Sequence, residues 1–245
     1  MRRREFLAGA LAFLPMQMSL DAMAAFPFER IETTGEQGLA TWEQLKSAGR
    51  GSPVILGDDE SVAGIMDSYP SRPNKGAVAK ILAAADGIEH PKDLVSHRQE
   101  EEESEPPPIG KWPTDVSMSI GPSAVVDITT DKPLDKVHIA LIPTDDWTTI
   151  PAYLHWGGWN ACPDPAFHVA ALRSWRDRFG AELVGLGHDT MDLRVIRRPQ
   201  TREAALELAR EQYAYCNDIV DQGTGTLSAL AASLKADPWW FFWWD

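Results

Sequence analysis

Apolar and polar positions change rhythm along the chain, and each rhythm predicts an element. Ser52-Pro-Val-Ile-Leu-Gly57 is a short unbroken apolar run closed by glycine, the pattern of a buried strand. Asp58, Asp59 and Ser61 then offer N-caps for a helix towards Tyr69, and the alanine-rich Ala77 to Ala85 predicts another. In the second half, Val137-His-Ile-Ala-Leu-Ile-Pro143 reads as a strand. Asp164-Pro165 is an N-cap followed by proline at the first helical position, and the helix it opens ends at Phe179 before Gly180. Ala181 to Leu186 and Met191 to Arg197 are strands around a Gly187-His-Asp-Thr190 turn. Thr201 caps a helix with Leu206, Ala209, Tyr213, Cys216 and Val220 on one face. A short helix spans Thr226 to Lys235, and Trp239-Trp-Phe-Phe-Trp-Trp244 closes the chain as a strand.

This β-α-β-β-α-β order, with one extra short helix, predicts an α+β fold of the ferredoxin-like split βαβ type for the C-terminal half. A further strand from Ala124 to Ile128 fits beside it. The closing strand is apolar on both faces, which places it inside the sheet with cover on either side. Two helices cover one face only, so the smaller, mostly helical N-terminal region or a second subunit covers the other.

Glu100-Glu-Glu-Glu-Ser-Glu-Pro-Pro-Pro108 breaks the pattern. Clustered like charge does not pack, and three prolines do not continue a helix, so residues 100–110 read as a solvated linker. It divides an N-terminal α/β region, 25–99, from an α+β domain, 111–245.

The first 24 residues read differently again. Arg3-Arg4-Glu5-Phe6-Leu7, an apolar run to Leu14 and an Ala22-Met23-Ala24 ending make a basic, an apolar and a cleavage segment in the order of a signal peptide. The paired arginines followed by x-Phe-Leu resemble a twin-arginine signal, which predicts a periplasmic or secreted protein. The apolar run falls far short of the ~20 residues of a membrane span, so no stable insertion is expected after cleavage. The whole chain has 23 basic and 36 acidic residues, a net charge of −13. Such a surface repels phosphate backbones and excludes nucleic acid as a partner.

Several separate motifs fall in the second half. Gly157-Gly-Trp-Asn-Ala-Cys-Pro163, His168-Val-Ala, Thr201-Arg-Glu-Ala, Glu211-Gln-Tyr-Ala-Tyr-Cys216 and Phe242-Trp-Trp-Asp245 together resemble the bacterial domain of unknown function 4253 over Val137 to Asp245. Pro53-Val-Ile-Leu-Gly57 is a weaker echo of it. The resemblance implies a domain and no mechanism.

Chemistry must come from the residues. Cys162 and Cys216 are the only cysteines. Antiparallel helices put them at the same end of the domain, and an oxidising compartment would join them in a disulfide. The rival reading makes Cys162 a nucleophile beside a helix N-terminus, with His168 and Asp164 as its partners. His168 also shares a face with Leu172, Trp175 and Phe179, the setting of a structural histidine. His168, His188, Asp189 and Asp192 fit no zinc spacing, so no metal is expected, and nothing points to a cofactor. Trp159 and Asn160, on a loop after paired glycines at a helix's positive end, are the expected ligand-facing patch for a small polar ligand, an anion or a partner protein. The chain thus reads as an exported, non-catalytic binding or interaction module. The alternative is a hydrolase or thiol enzyme centred on Cys162 and His168.

Overall fold

A computed structural model describes residues 26–70, 76–94, 96, 107–116, 119 and 121–245. The expected signal segment and the acidic stretch 100–106 lie outside the described residues. Strand β1 (Glu29–Thr33) passes through Thr34, whose hydroxyl accepts from the Gln37 N–H, into helix α1 (Gly35–Ala48). Gly49 ends α1 in the left-handed region, with φ of 64°. Strand β2 (Ser52–Gly57) leads to α2 (Asp59–Ser68), capped by the Asp58 carboxylate on the Ser61 N–H at 3.0 Å. Helix α3 (Ala77–Ala85) closes the N-terminal series.

After residue 107 come two short strands, β3 (Val126–Asp127) and β4 (Lys132–Pro133), paired in a small sheet of their own. Strand β5 (Val137–Ile142), helices α4 (Ile150–Leu154) and α5 (Pro165–Phe179), and strands β6 (Glu182–Leu186) and β7 (Thr190–Arg194) follow. Helix α6 (Arg202–Tyr215), a π-helical turn at Ile219–Thr224, α7 (Leu227–Ala236) and β8 (Trp239–Trp243) complete the chain.

The α+β class and the β-α-β-β-α-β series of the second half are both present. The strand order adds what the pattern did not carry. It runs β1-β5-β2-β6-β7-β8, so a strand from before the linker separates β5 from β6. A split βαβ sheet would fill that slot from its own second half. The sheet therefore crosses the expected domain division. Every contact in it is antiparallel except β2 with β6, where Ile55 faces Gly185.

Insertion of β2 explains its composition. All six of its residues are buried. Val54 and Leu56 face a large core with Ala140, Ile142, Leu183, Met191, Leu193, Trp240 and Phe242, roofed by α5, α6 and α7. Ile55 faces the other way, with Ile139 and Val184, under Trp42 of α1 and Ala124–Val125. The second face is thus covered by this chain's own N-terminal helix. Gly35 and Gly38 let α1 approach: a Cβ on Gly35 would lie 2.2 Å from the Val125 carbonyl oxygen. Asp192 staples the loop to the same face, accepting from Ser123 N–H (2.8 Å), Ser123 Oγ (2.7 Å) and Ala124 N–H (3.1 Å).

Three expectations need correction. The closing strand β8 is an edge strand, paired among the described strands with β7 alone, although Trp240, Phe242 and Trp243 are buried. Its cover on both sides comes from packing and not from a central place in the sheet. The helix expected to run from Thr201 through Val220 stops at Tyr215, and a π-helical turn follows. Ala209, Cys216 and Val220 of its expected stripe are buried and Leu206 and Tyr213 half-buried, but α6 also buries Ala205, Leu208, Glu211, Gln212 and Tyr215. The end of the expected linker is docked: Leu227 and Ser228 N–H donate to the carbonyls of Pro108 and Ile109 at 3.0 and 2.8 Å.

Candidate functional site

The loop between α4 and α5 gathers the sequence motifs. Helix α4 ends at His155 in the left-handed region, with φ of 50°. Gly157 (φ 113°), Gly158 (φ 83°) and Asn160 (φ 44°) continue in that half of φ space. The chain then folds back on itself: Gly158 N–H donates to Pro163 O at 2.9 Å, and Cys162 N–H to Trp159 O at 2.8 Å. Only glycine fits at position 157, where a Cβ would stand 2.2 Å from Pro163 O and 2.6 Å from His168 Nε2. The hairpin of backbone thereby presses Cys162 against the first turns of α5.

His168 is fully buried beneath this loop. Its Nε2 lies 3.4 Å from Cys162 Sγ and its Nδ1 2.5 Å from Tyr215 Oη. A neutral imidazole serves both contacts, donating at one nitrogen and accepting at the other. Trp156 and Trp244 close the remaining sides, with ring centroids 4.7 and 5.6 Å from the imidazole. Burial pulls the His168 pKa down to about 3, against a smaller opposing effect of the Pro163 carbonyl. Burial, then Cys216, pushes the Cys162 thiol far above its ordinary range, and Asp164 and Asp189 add to the effect. Burial likewise raises Tyr215. All three groups are neutral at ordinary pH. A thiol nucleophile needs the thiolate, and this setting favours the opposite form.

Cys162 and Cys216 are free thiols, not a disulfide. The two helix ends do meet, through His168 and Tyr215, but each sulfur has its own partner. Cys216 Sγ donates to the Trp243 carbonyl at 2.8 Å. Asp164 sits at the N-cap position of α5 with its side chain exposed and making no cap hydrogen bond, so it does not join the Cys162–His168 pair.

Trp159 is half-buried, packed edge-to-face on Trp156 with centroids 5.0 Å apart. Asn160 is exposed, and its Nδ2 donates to the Asp245 main-chain oxygen at 2.7 Å. The expected ligand donor is therefore engaged within the chain. Asp245 N–H in turn donates to Asp218 Oδ2 at 3.0 Å, and Trp244 N–H to the Asp189 carbonyl at 3.1 Å.

This loop stands at the carboxyl ends of the parallel strands β2 and β6. Trp156 Nε1 donates to Gly187 O at 2.7 Å. Ser61 Oγ donates to Leu56 O at 2.5 Å and accepts from His188 N–H at 3.1 Å. The half-exposed His188 rests against Gly64, where a Cβ would be 2.6 Å from its own, and its Nε2 is 3.3 Å from Asp189 Oδ2. Burial raises the Asp189 pKa, with His188 opposing and Asp245 reinforcing. Two exposed acidic residues flank the half-buried Trp159: Asp164, whose Oδ1 would lie 2.7 Å from a Cβ on Gly158, and Asp245, held by Asn160, while Asp218 is buried. Among the described residues no group of three or more histidine, cysteine or acidic side chains could hold a metal ion.

Residues 138–245 match the family described as Domain of unknown function (DUF4253). No curated protein and no solved structure matches the chain. The matched segment holds the whole Cys162–His168–Tyr215 cluster, whereas β2, the central strand beside it, lies outside. Tyr215, Trp156 and Trp244 were missed as site residues. Tyr215 had a readable signal, standing four residues after Glu211 and seven after Leu208 on one helical face. Among the described residues, no helix is long and apolar enough to cross a membrane.

Proposed function

We propose that this protein is an exported, non-catalytic binding module that takes a cationic segment of a partner at the Trp159 rim. The single observation behind this reading is the contrast within one loop: the thiol–imidazole pair is sealed and neutral, while Trp159 is only half-buried, next to the exposed Asp164 and Asp245. An indole face beside carboxylates suits an ammonium or guanidinium group through cation–π attraction and charge. The place also fits a general rule, since ligands collect outside the carboxyl ends of parallel strands. An anion, which the helix end alone would favour, meets repulsion from Asp164 here. The Arg3-Arg4-Glu5-Phe6-Leu7 leader supports export, and replacing both arginines by lysine should leave the precursor unprocessed in the cytoplasm.

Binding is tested by titrating the mature protein with a lysine-rich peptide and a glutamate-rich control, followed by tryptophan fluorescence. The lysine peptide should bind, more weakly as salt rises, and Trp159→Ala should remove binding. Binding retained in that variant, or no binding of either peptide, would reject the reading. The 3.4 Å contact of Cys162 with His168 keeps a thiol enzyme as the second reading. Rapid alkylation of Cys162 in the native protein would favour it over the binding module.

A further inference from the structure

A second buried histidine lies outside this cluster. His90 belongs to the strap formed by α3 and residues 86–94, which lies across α4 and α5. Ala85 of the strap is buried with Ala152 and Val169, and Val78, Ile81 and Leu82 pack beside them. Leu94 reaches the main core. Between those anchors the His90 side chain is only 2% exposed, and among the described residues neither ring nitrogen has a hydrogen-bond partner. A buried polar group left unpaired costs about 1–3 kcal/mol and calls for an explanation.

The surroundings of His90 are specific. Its ring meets the Trp175 indole edge-on, with centroids 5.3 Å apart. Its Nδ1 is 3.7 Å from Glu211 Oε1, too far for a hydrogen bond. That carboxylate is already occupied, accepting from Trp175 Nε1 (2.6 Å) and from Arg178 Nη1 and Nη2 (2.7 and 2.8 Å). The charged groups facing His90 are thus Glu211 from α6 and Arg178 from α5, and they oppose one another. On the strap, Glu89 and Lys92 pair with each other at the surface, Asp93 accepts from Glu89 N–H, and Asp86 pairs with Arg173 at 2.7 Å.

We infer that the strap, residues 77–94, is an acid-releasable clamp: protonation of His90 expels it from its seat on Trp175 and frees the helices that carry the Trp159 loop. The strap covers Ala152 of α4 and Val169 of α5, the elements on either side of that loop. Burial lowers the His90 pKa to about 4, with Glu211 opposing and Arg178 reinforcing. The docked strap therefore favours neutral His90, and the released strap takes up a proton near the ordinary value. The His90 contribution to docking is fully present above about pH 6.5 and is lost as pH falls towards 4, on the order of a hundredfold over that range. This clamp is independent of what the rim binds.

Hydrogen exchange of the full chain, read by mass spectrometry from pH 7.5 to 4.5 and corrected for intrinsic rates, tests it. Opening of residues 77–94 should rise by up to tenfold per pH unit below about 6.5 while β2 and β5 stay protected. His90→Phe should remove that rise, and Asp86→Asn should keep it. An equal rise in His90→Phe, its loss in Asp86→Asn, or opening of the strap only together with the sheet would each overturn the clamp. Should His90→Phe not fold, NMR titration of His90 in the native chain decides: a markedly lowered value supports the clamp, and an ordinary one rejects it.

Discussion

His168 within α5 and His90 packed against α5 are both buried, and they are held in opposite ways. His168 has a partner at each ring nitrogen, Cys162 on one side and Tyr215 on the other. His90 has none among the described residues, and meets Trp175 ring to ring. Burial lowers the pKa of both, to about 3 and about 4. The cost of desolvation is shared, but only His168 recovers part of it through hydrogen bonds. A satisfied polar network specifies one arrangement of the loop over α5. An unsatisfied imidazole leaves its segment weakly committed, and so marks where the molecule opens first.

The largest effect should come from the residue that both regions share. Trp175 meets His90, stacks on Phe242 at 5.3 Å and meets Tyr215 at 4.8 Å, and its Nε1 donates to Glu211. Trp175→Ala should cost about 3–5 kcal/mol by chemical denaturation, a large part of a typical total stability of roughly 5–15. A loss below about 1 kcal/mol would mean that the two regions are not joined through this indole.

Tyr215→Phe separates them. It removes the hydroxyl from His168 and leaves a buried ring nitrogen unpaired, at a cost of about 1–3 kcal/mol. The strap should be unaffected, so exchange of residues 77–94 should match the parent at pH 7.5. A strap that loosens equally would join the two regions into one cooperative unit.

Acid should act on both histidines, in sequence. Each has a folded-state value below the ordinary one, so each contributes stability that is present above about pH 6.5 and lost as pH falls. The His90 contribution stops changing near pH 4, and the His168 contribution continues towards pH 3. Global stability should therefore keep falling below pH 4 by roughly 1.4 kcal/mol per pH unit from His168 alone. His168→Gln, measured by denaturation at pH 5 and pH 3.5, should flatten that slope, and an unchanged slope would assign acid unfolding to carboxylates.

How much of this was legible follows from what each residue needs locally. Thr201 and Gly180 mark helix ends through their own backbone and side-chain chemistry, and the structure places them there: Thr201 Oγ1 accepts from Ala204 N–H at 3.2 Å, and Gly180 has φ of 60°. Gly157-Gly158 announced a turn, and the turn exists because His168 and Pro163 leave no room for a side chain. The place of β2 was not legible, since an all-apolar strand says that both faces are covered and not which strands flank it. The fate of the cysteines depended on ångström-scale placement, which no spacing supplies. His90 gave no signal at all: its neighbours Glu89 and Lys92 are exposed, and its burial comes from α5 and α6, about eighty residues or more later in the chain.

The smallest effect should be at His90 itself, and it is the sharpest form of the comparison. At pH 7.5 the ring is neutral, unpaired and edge-on to an indole, so its nitrogens contribute little to holding the strap. Phenylalanine has a similar planar shape and no polar atoms to desolvate, and edge-to-face aromatic pairs stabilise by about 0.5–1.5 kcal/mol beyond their buried area. His90→Phe should therefore leave global stability within about 1 kcal/mol of the parent, on the stabilising side. Tyr215→Phe, which also removes polar character from a buried aromatic contact, should move the other way, because a partner is left behind. Denaturation midpoints of the two variants at pH 7.5 decide the matter: a destabilised His90→Phe would show that the imidazole is held by more than its ring face, and that the two histidines are not opposites.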